Sequence, residues 1–390
     1  MPTGLKDVAA IVGIGETEYS KDSGRSELRL ALEAVKAAID DAGLGVQDID
    51  GMVTYSIDGS DEIAIARGLG NRALRFFSRV PHGIGGAIAL VHQAVMAVAS
   101  GSAKAVVGYR GLNGHSGLQL DPTTVGGPLS TDQIHWSWYV PYGLIGGPSW
   151  AAIFARRYMD AYGASEEALA EIAVTMRRHA AGNPHAIFHG KPLSREDYFS
   201  SPMVAEPLRL ADCALDVDGA AAFVVTSLER ARDLRHPPVV VRAVAHGAAP
   251  DQEVMTSFYR PELAEMPEYD LVARQCYEQS GLRPEDIDVA LLYDAFTPIV
   301  LFQLESFGFC PRGQAHEFVR DGALAIDGRL PTNTNGGQLG EGHLQGVNAI
   351  NEAVRLIRGQ SANQPQRCDH VLATGGFGVP TSAMIVGRAV

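Results

Sequence analysis

The sequence predicts an α/β fold made of two similar halves, residues 1–250 and 251–390, related by an approximate twofold axis. The first observation is a repeated motif, GLGVQDID at 43–50 and GLRPEDID at 281–288. Each copy is typical of a helix that ends at glycine, a tight turn and a buried strand. The second is that strands apolar on both faces alternate with amphipathic helices, which indicates sheets covered by helices.

The order of longer segments repeats as well. In the first half, a glycine-rich segment begins a long helix over 83–101 and leads into a strand at 103–108. In the second half, the same sequence of features occupies 342–359 and 369–374. We interpret this order as an internal duplication. Chance recurrence of a common helix-to-strand turn is the alternative.

The helix before the first motif is expected to begin after Ser26, a residue type that caps helix N-termini. Its apolar face carries Leu28, Leu32, Val35 and Ile39, which recur at helical spacing.

A segment at 111–207 fits neither copy and is predicted to be an insertion. It contains Trp136, Trp138, Tyr139 and Tyr142, followed by helical patterns. Aromatic insertions of this kind either cover a site or pack a small core of their own.

Composition narrows the function classes. The chain has 390 residues, is 46% hydrophobic, and has 32 basic against 45 acidic residues, for a net charge of −13. This charge disfavours nucleic acid and anionic membranes as partners. The longest apolar stretch contains His92 and Gln93 and is too polar to span a membrane. Four scattered cysteines form no CxxC pair, which favours a reducing cytoplasm and makes a metal site improbable.

Several motifs then resemble a known family. The stretch FGFCPRGQ at 307–314 and the stretch TNTNGGQLGEGH at 332–343 resemble the C-terminal half of thiolases, most closely the sterol-carrier-protein-x and lipid-transfer-protein-like branch. Tyr293-Asp294-Ala295-Phe296 is similar to a site motif of that family, and residues 218–222 match the end of its first half. The resemblance implies a layered α/β/α/β/α arrangement, a homodimer and a small OB-fold or zinc-ribbon partner protein.

The chain departs from thiolases at the nucleophile. The family's acylated cysteine aligns with Gly83, and the positions of its second cysteine hold Ala295 and Thr374. Glycine has no side chain that can attack a thioester. The sequence therefore resembles cysteine-free steroid side-chain aldolases, which cleave a β-hydroxyacyl-CoA into a short acyl-CoA and a ketone or aldehyde. Those enzymes have tyrosine at the position of Tyr293 and commonly a second tyrosine where this chain has His343.

This chemistry needs a base for the β-hydroxyl proton and donors for the thioester oxygen. We expect Tyr293 and His343 to be the catalytic pair. Tyrosine ordinarily titrates near 10 and histidine near 6.5, so histidine is the better base on pKa alone. Which of the two takes the proton stays open, and buried or interface packing is the alternative for each. Tyr55 at the matching repeat position fits such packing for Tyr293.

Four further residues are candidates for the oxyanion and substrate pocket: Gly83, Gly376, Asn335 and His82. Asp294 is expected to point away from Tyr293 and to support the site or a dimer contact. The resemblance implies no cofactor and no metal, with a CoA thioester as substrate. The alternatives are an acetyl-CoA acyltransferase-type thiolase, which needs a cysteine near residue 83, and a non-catalytic subunit of a complex.

Overall fold

The computed structural model describes residues 4–56, 58–80, 83–117, 137–250, 258–378 and 380–389. The strands are β1 (Ala9–Glu16), β2 (Gly51–Tyr55), β3 (Phe76–Val80), β4 (Ala105–Asn113), β5 (Met203–Ala205), β6 (Leu208–Arg209), β7 (Asp218–Ser227), β8 (Val239–Gly247), β9 (Val289–Leu291), β10 (His370–Gly375) and β11 (Thr381–Arg388). The helices are α1 (Glu27–Asp41), α2 (Glu62–Leu69), α3 (Ala87–Ala99), α4 (Gly147–Tyr162), α5 (Glu166–Gly182), α6 (Arg195–Ser200), α7 (Leu228–Ala231), α8 (Pro267–Ser280), α9 (Thr297–Ser306), α10 (Ala315–Phe318), α11 (Gly337–Gly340) and α12 (Val347–Arg358).

Nine of the described strands form one mixed sheet in the order β3-β2-β4-β7-β1-β8-β11-β10-β9. The pairs β2–β3, β2–β4 and β9–β10 are parallel, and the other neighbours are antiparallel. Only two residue pairs, Ala10 with Val240 and Ile11 with Val239, join β1 to β8. This short pairing connects the two halves of the sheet.

The strand order confirms the duplication. In the first half β2, β4, β7 and β1 lie side by side, and in the second half β9, β10, β11 and β8 repeat that order and those directions. Both copies of the repeated motif have the same structure: a left-handed glycine (Gly43, Gly281), a 3-10 turn and a buried strand. The strand β8 pairs along its length with β11 of the second half, although β8 itself precedes the predicted boundary at residue 250.

Helices cover the sheet in layers, as predicted. The helices α3 and α12 contact strands of both halves and each other, while α1 packs on β1, β4 and β7, and α8 packs on β8 and β11. Ser26 caps α1 as expected, accepting a hydrogen bond from the Arg29 N–H. Among the described helices, none is both long and apolar enough to cross a bilayer.

The described part of the predicted insertion contains the helices α4, α5 and α6 and the short strand β5. The sequence predicts helices over 151–162 and 165–181 of the insertion. The first corresponds to α4, which begins four residues earlier, at Gly147, and the second corresponds to α5. Both helices contact α9, in the second half. Of the predicted aromatic residues, Trp136 lies outside the described residues, whereas Trp138 and Tyr142 are exposed. Tyr139 packs edge-on against Phe258, with ring centroids 5.5 Å apart.

We predict that Gly15→Ala destabilises the fold, because β1 lies directly against α1. A Cβ at position 15 would lie 2.2 Å from the Ala34 carbonyl oxygen and 2.4 Å from the Ala38 nitrogen, both backbone atoms that cannot turn away. We expect a loss of about 1–3 kcal/mol, the usual cost of overpacking, measured by urea unfolding followed by circular dichroism. Gly4→Ala, whose Cβ would meet nothing within 4 Å, is the control. Equal unfolding midpoints for the two variants would contradict this packing.

Candidate active site

Tyr293 lies just after β9, and its backbone is fixed by two buried side chains. The Tyr293 N–H donates to Thr374 Oγ1 at 2.8 Å and to Gln303 Oε1 at 3.2 Å. Gln303 Nε2 in turn donates to the Tyr293 carbonyl at 2.7 Å. One glutamine of α9 therefore satisfies both backbone groups of Tyr293, and the tyrosine cannot shift without leaving buried polar groups unpaired.

The Tyr293 side chain is the first of three that are linked in a line. Tyr293 Oη lies 3.0 Å from His343 Nε2, and His343 Nδ1 lies 2.7 Å from Asp216 Oδ1. The exposed fraction of the side chain is 45% for Asp216 and 14% for His343, whereas Tyr293 as a whole is 2% exposed. The line thus runs from solvent to a buried phenol, and its members are 127 and 50 residues apart in sequence.

His343 is carried by a loop of unusual backbone conformation. The φ angles of Gly342, Gln345 and Gly346 are +152°, +54° and +93°. A Cβ at Gly346 would lie 2.9 Å from the Cβ of Ala87 and 3.3 Å from Cδ2 of Tyr293, so glycine lets the loop approach the tyrosine closely. The Tyr55 hydroxyl donates to the Gln345 carbonyl at 3.2 Å. Tyr55, which matches Tyr293 in the repeat, therefore holds the histidine loop.

Two of the predicted pocket glycines lie on neighbouring loops. The turn Gly83–Gly86 precedes α3, and a Cβ at Gly376 would lie 2.8 Å from the Cα of Gly85. The Gly376 carbonyl accepts a hydrogen bond from the Tyr269 hydroxyl, and its φ is +111°. The structure therefore brings the two glycine loops together at the start of α3, next to Ala87. His82 lies outside the described residues.

Asn335 belongs to the interior of the histidine loop. Its Nδ2 donates to Glu341, its Oδ1 accepts from the Gly337 N–H at 3.1 Å, and its carbonyl accepts from Asn183 at 3.0 Å. Both ends of its amide are thus engaged within the structure. No described contact joins it to Tyr293 or His343, and its pocket role stays a prediction.

Asp294 supports the same loop. Its carboxylate accepts from the Gln338 N–H at 2.6 Å, and the Gly337 backbone lies against it. Burial raises the pKa of Asp294 to about 7. The side chain thus anchors the loop that carries His343 and makes no described contact with the histidine itself.

The pKa of the Tyr293 phenol limits how this side chain can react. Burial raises the pKa of its phenol well above 10, and the nearby Tyr55, Tyr269, Asp294 and Asp216 raise it further. A free phenolate is therefore disfavoured at neutral pH. The phenol can accept a substrate proton only if its own proton leaves at the same time, and His343 is the acceptor in contact with it.

The four cysteines do not supply a nucleophile. All are free thiols, and burial raises the pKa of each to about 12. The Cys213 and Cys276 thiols donate to backbone carbonyls at 3.5 and 3.6 Å. No cysteine is hydrogen-bonded to Tyr293 or His343 in the part of the chain that the structure describes. The thiolate is the nucleophilic form of cysteine, and it is absent near neutral pH at these positions.

An aromatic cluster from several segments adjoins the site. Phe154 of the insertion packs edge-on against Phe377, which follows Gly376, with centroids 5.7 Å apart. Phe377 contacts Phe296 at 6.0 Å, and Phe154 stacks on Phe258 at 5.4 Å. The insertion therefore contributes to the apolar surroundings of the Tyr293 segment, and that it covers a site stays a prediction.

The sequence-predicted pair Tyr293 and His343 is thus in direct contact, whereas Asp216 was missed. Asp216 lies two residues before the recognised 218–222 motif, and its sequence surroundings carry no signal for a histidine partner. Its role arises only where Leu215 and Asp216 run beside the histidine loop, with the His343 N–H donating to the Leu215 carbonyl at 3.1 Å. Among the described side chains, no group of three or more His, Cys, Asp and Glu residues is arranged to hold a metal ion.

Comparisons with known proteins identify several relatives of this chain. The family model described as thiolase C-terminal domain-like matches residues 251–388. The chain is 52% identical to a Thermomonospora curvata protein named steroid side-chain-cleaving aldolase, over 98% of both chains. It is 50% identical to a Mycobacterium tuberculosis protein named 17-hydroxy-3-oxo-4-pregnene-20-carboxyl-CoA lyase, over 98% of this chain and 100% of that one. The solved structure of an Ltp2-ChsH2(DUF35) aldolase is similar with a TM-score of 0.94, at 52% identity and 98% coverage of both chains.

We predict that Asp294 makes stability depend on pH. Its pKa is about 7 in the folded protein and ordinarily 3.8, so between these values only the folded state keeps the proton. The free energy of unfolding therefore falls as the pH rises from about 4 to about 7. Asp294→Asn should remove this fall, which amounts to about 4 kcal/mol at most, at about 1.4 kcal/mol per pKa unit.

Urea unfolding at pH 5 and pH 8 measures the effect. The variant should gain stability relative to the original chain at pH 8 more than at pH 5. Asp233→Asn, at an exposed position, serves as the control and should leave the pH dependence unchanged. Parallel pH curves for Asp294→Asn and the original chain would show that the carboxyl is ionised throughout.

Proposed function

Since the chain belongs to the thiolase-like family of steroid side-chain-cleaving aldolases, we propose that it is an acyl-CoA carbon–carbon lyase. Its substrate is a β-hydroxyacyl-CoA, a thioester of a steroid side chain, and its products are a short acyl-CoA and a ketone or aldehyde. The observation that carries the proposal is the 3.0 Å contact between the buried Tyr293 hydroxyl and His343 Nε2. This contact provides a proton path without a covalent intermediate.

The steps balance with proton transfers alone. Tyr293 Oη takes the proton of the β-hydroxyl while its own proton passes to His343 Nε2. The C–C bond then breaks, its electron pair forms the enolate of the short acyl-CoA, and the β-carbon becomes a carbonyl. The proton returns through Tyr293 to the enolate carbon. The scheme uses no cofactor and no metal.

Charge develops on the thioester oxygen, so donors are needed there. Both nitrogens of His343 already face Tyr293 and Asp216. We therefore assign the oxyanion to backbone N–H groups of the turn that begins at Gly83 and of the Gly376 loop, which adjoin each other. Glycine permits the close approach of a ligand to these backbones.

Two alternatives fit the structure less well. A thiolase needs a thiolate, and burial raises the pKa of every cysteine of this chain. A non-catalytic subunit has no need of a buried phenol paired with a histidine in line with a carboxylate. The free thiols also fit the reducing cytoplasm expected from the sequence.

We further propose that the chain acts with a small DUF35-type partner, of the OB-fold and zinc-ribbon kind expected from the sequence. The name of the similar solved aldolase pairs Ltp2 with ChsH2(DUF35), which supports this proposal. Assays should therefore be run with and without a co-expressed partner of that class.

We predict that Tyr293→Phe and His343→Ala each abolish cleavage, because each removes one member of the proton path. A loss of about 10²–10⁴-fold in kcat is typical for general acid–base groups. The measurement is mass spectrometry of products from a panel of 3-hydroxyacyl-CoA thioesters. Tyr277→Phe, which removes a hydroxyl bonded to the Phe307 carbonyl, is the matched control and should keep activity.

The same assay separates the alternatives. Release of a short acyl-CoA in the absence of free CoA supports the lyase. A requirement for free CoA would instead support thiolysis, and full turnover in both variants would remove Tyr293 and His343 from the reaction.

We also propose a homodimer formed through β3. In the described sheet β3 pairs only with β2 and leaves its other edge open, whereas the opposite edge strand β9 is bridged by Thr332. Phe77 on β3 and Ile63 on the adjacent α2 are 58% and 52% exposed. An open edge with exposed apolar side chains favours pairing with a second copy of the same edge.

We predict that Phe77→Lys converts the dimer into a monomer, because it places a charge at the centre of this edge. Size-exclusion chromatography with light scattering measures the mass, against 41.5 kDa for one chain. Leu210→Lys, at a residue that is also 58% exposed, is the control and should leave the mass unchanged. An unchanged mass for Phe77→Lys would place the interface elsewhere.

A further inference from the structure

We propose that Asp216 is a positioning residue that makes His343 the final proton acceptor of the site. The inference rests on the proposed function and extends it to a residue that acts through His343. It begins from the 2.7 Å contact between Asp216 Oδ1 and His343 Nδ1.

The backbone holds this contact in place. The His343 N–H donates to the Leu215 carbonyl at 3.1 Å, and residues 216 and 343 form a parallel β-bridge. The carboxylate and the imidazole are therefore attached to backbones that are themselves hydrogen-bonded. A long surface ion pair, by contrast, must order two free side chains and contributes little.

The contact fixes which nitrogen of His343 carries a proton. An ionised carboxylate only accepts hydrogen bonds, so Nδ1 must be the N–H donor to Asp216. In the neutral ring Nε2 is then the acceptor, and it faces the Tyr293 hydroxyl. Asp216 thus selects the tautomer that can take the tyrosine's proton.

The same carboxylate stabilises the product of that transfer. When Nε2 is protonated, His343 becomes an imidazolium with both N–H groups bonded, one to Asp216 and one to Tyr293. A charge-assisted hydrogen bond is stronger than a neutral one, so Asp216 favours the proton on the ring. Among the residues that the structure describes, the titratable groups around His343 are Tyr293 and Asp216 in contact, and Glu341, Tyr19 and Tyr55 beside its loop.

Asp216→Asn is the decisive variant. The asparagine amide can donate to Nδ1, which moves the ring proton to Nε2 and leaves Tyr293 without an acceptor. We expect kcat to fall about 10²-fold or more, with KM changed far less, because the loss affects proton transfer and not binding. The acid side of the kcat–pH profile should move to lower pH, because an amide stabilises the imidazolium less than a carboxylate does. Asp216→Glu, which keeps a carboxylate, should restore part of kcat and the acid side of the original kcat–pH profile.

A second readout does not depend on activity. In protein labelled with ¹⁵N at histidine, the His343 signals should report Nδ1–H in the original chain and Nε2–H in Asp216→Asn, with His343→Gln identifying the signals. The control is Asp40→Asn, which removes a 56% exposed carboxylate paired with Lys36 on α1. It should leave the tautomer, kcat and the pH profile unchanged.

The outcomes separate the two proposals. If the original chain cleaves no 3-hydroxyacyl-CoA with or without its partner, the proposed function fails, and the ¹⁵N spectra still decide the tautomer. If it cleaves but Asp216→Asn keeps kcat and the acid side of the kcat–pH profile, the positioning role is overturned. A loss of kcat with an unchanged tautomer and an unchanged acid side of the profile also overturns it, because only packing would then have been lost.

Discussion

The site depends on one constraint: a phenol buried in the protein cannot lose its proton unless a neighbour receives it. Tyr293 is 2% exposed, and burial raises its pKa well above the ordinary value. A water-exposed tyrosine would exchange protons with solvent, but this one has its hydroxyl 3.0 Å from His343 Nε2. Much of the surrounding structure keeps these two side chains in contact, from the Gln303 clamp on the tyrosine backbone to the glycines of the histidine loop.

The duplicated fold explains where the pair lies. Tyr55 is the last residue of β2 and Tyr293 lies just after the equivalent strand β9, at the matching position of the repeat. Duplication alone would give them equal environments. They differ because the 342–346 loop passes between them, offering the Gln345 carbonyl to Tyr55 and the His343 ring to Tyr293. One tyrosine thereby supports the loop and the other contacts the titratable ring.

The turn before α3 is the place where the resemblance to thiolases aligns their acylated cysteine with Gly83. Three of the four residues of the turn Gly83–Gly86 are glycines, and Gly85 packs so closely on the Gly376 loop that added side-chain atoms would collide. At the position of the thiolase cysteine, this turn has the backbone N–H of a glycine and no sulfur atom. Tyr293 and His343 belong to the second half and Asp216 to the first, so the three linked side chains join both copies of the duplication.

The α/β class, the repeat and its helix-to-strand turns could be predicted from residue order alone, because these follow from local glycine positions and apolar periodicity. The sequence also predicted Tyr293 and His343 as the candidate catalytic pair, because motifs of the family surround both residues. Only the tertiary structure decided that Asp216 completes the line, that Asn335 is engaged within its own loop and that Tyr55 holds the histidine loop. These roles depend on contacts between segments more than a hundred residues apart or on loop conformations that residue type does not specify. The pairing of β1 with β8 brings the two halves together and so makes the contacts between distant segments possible.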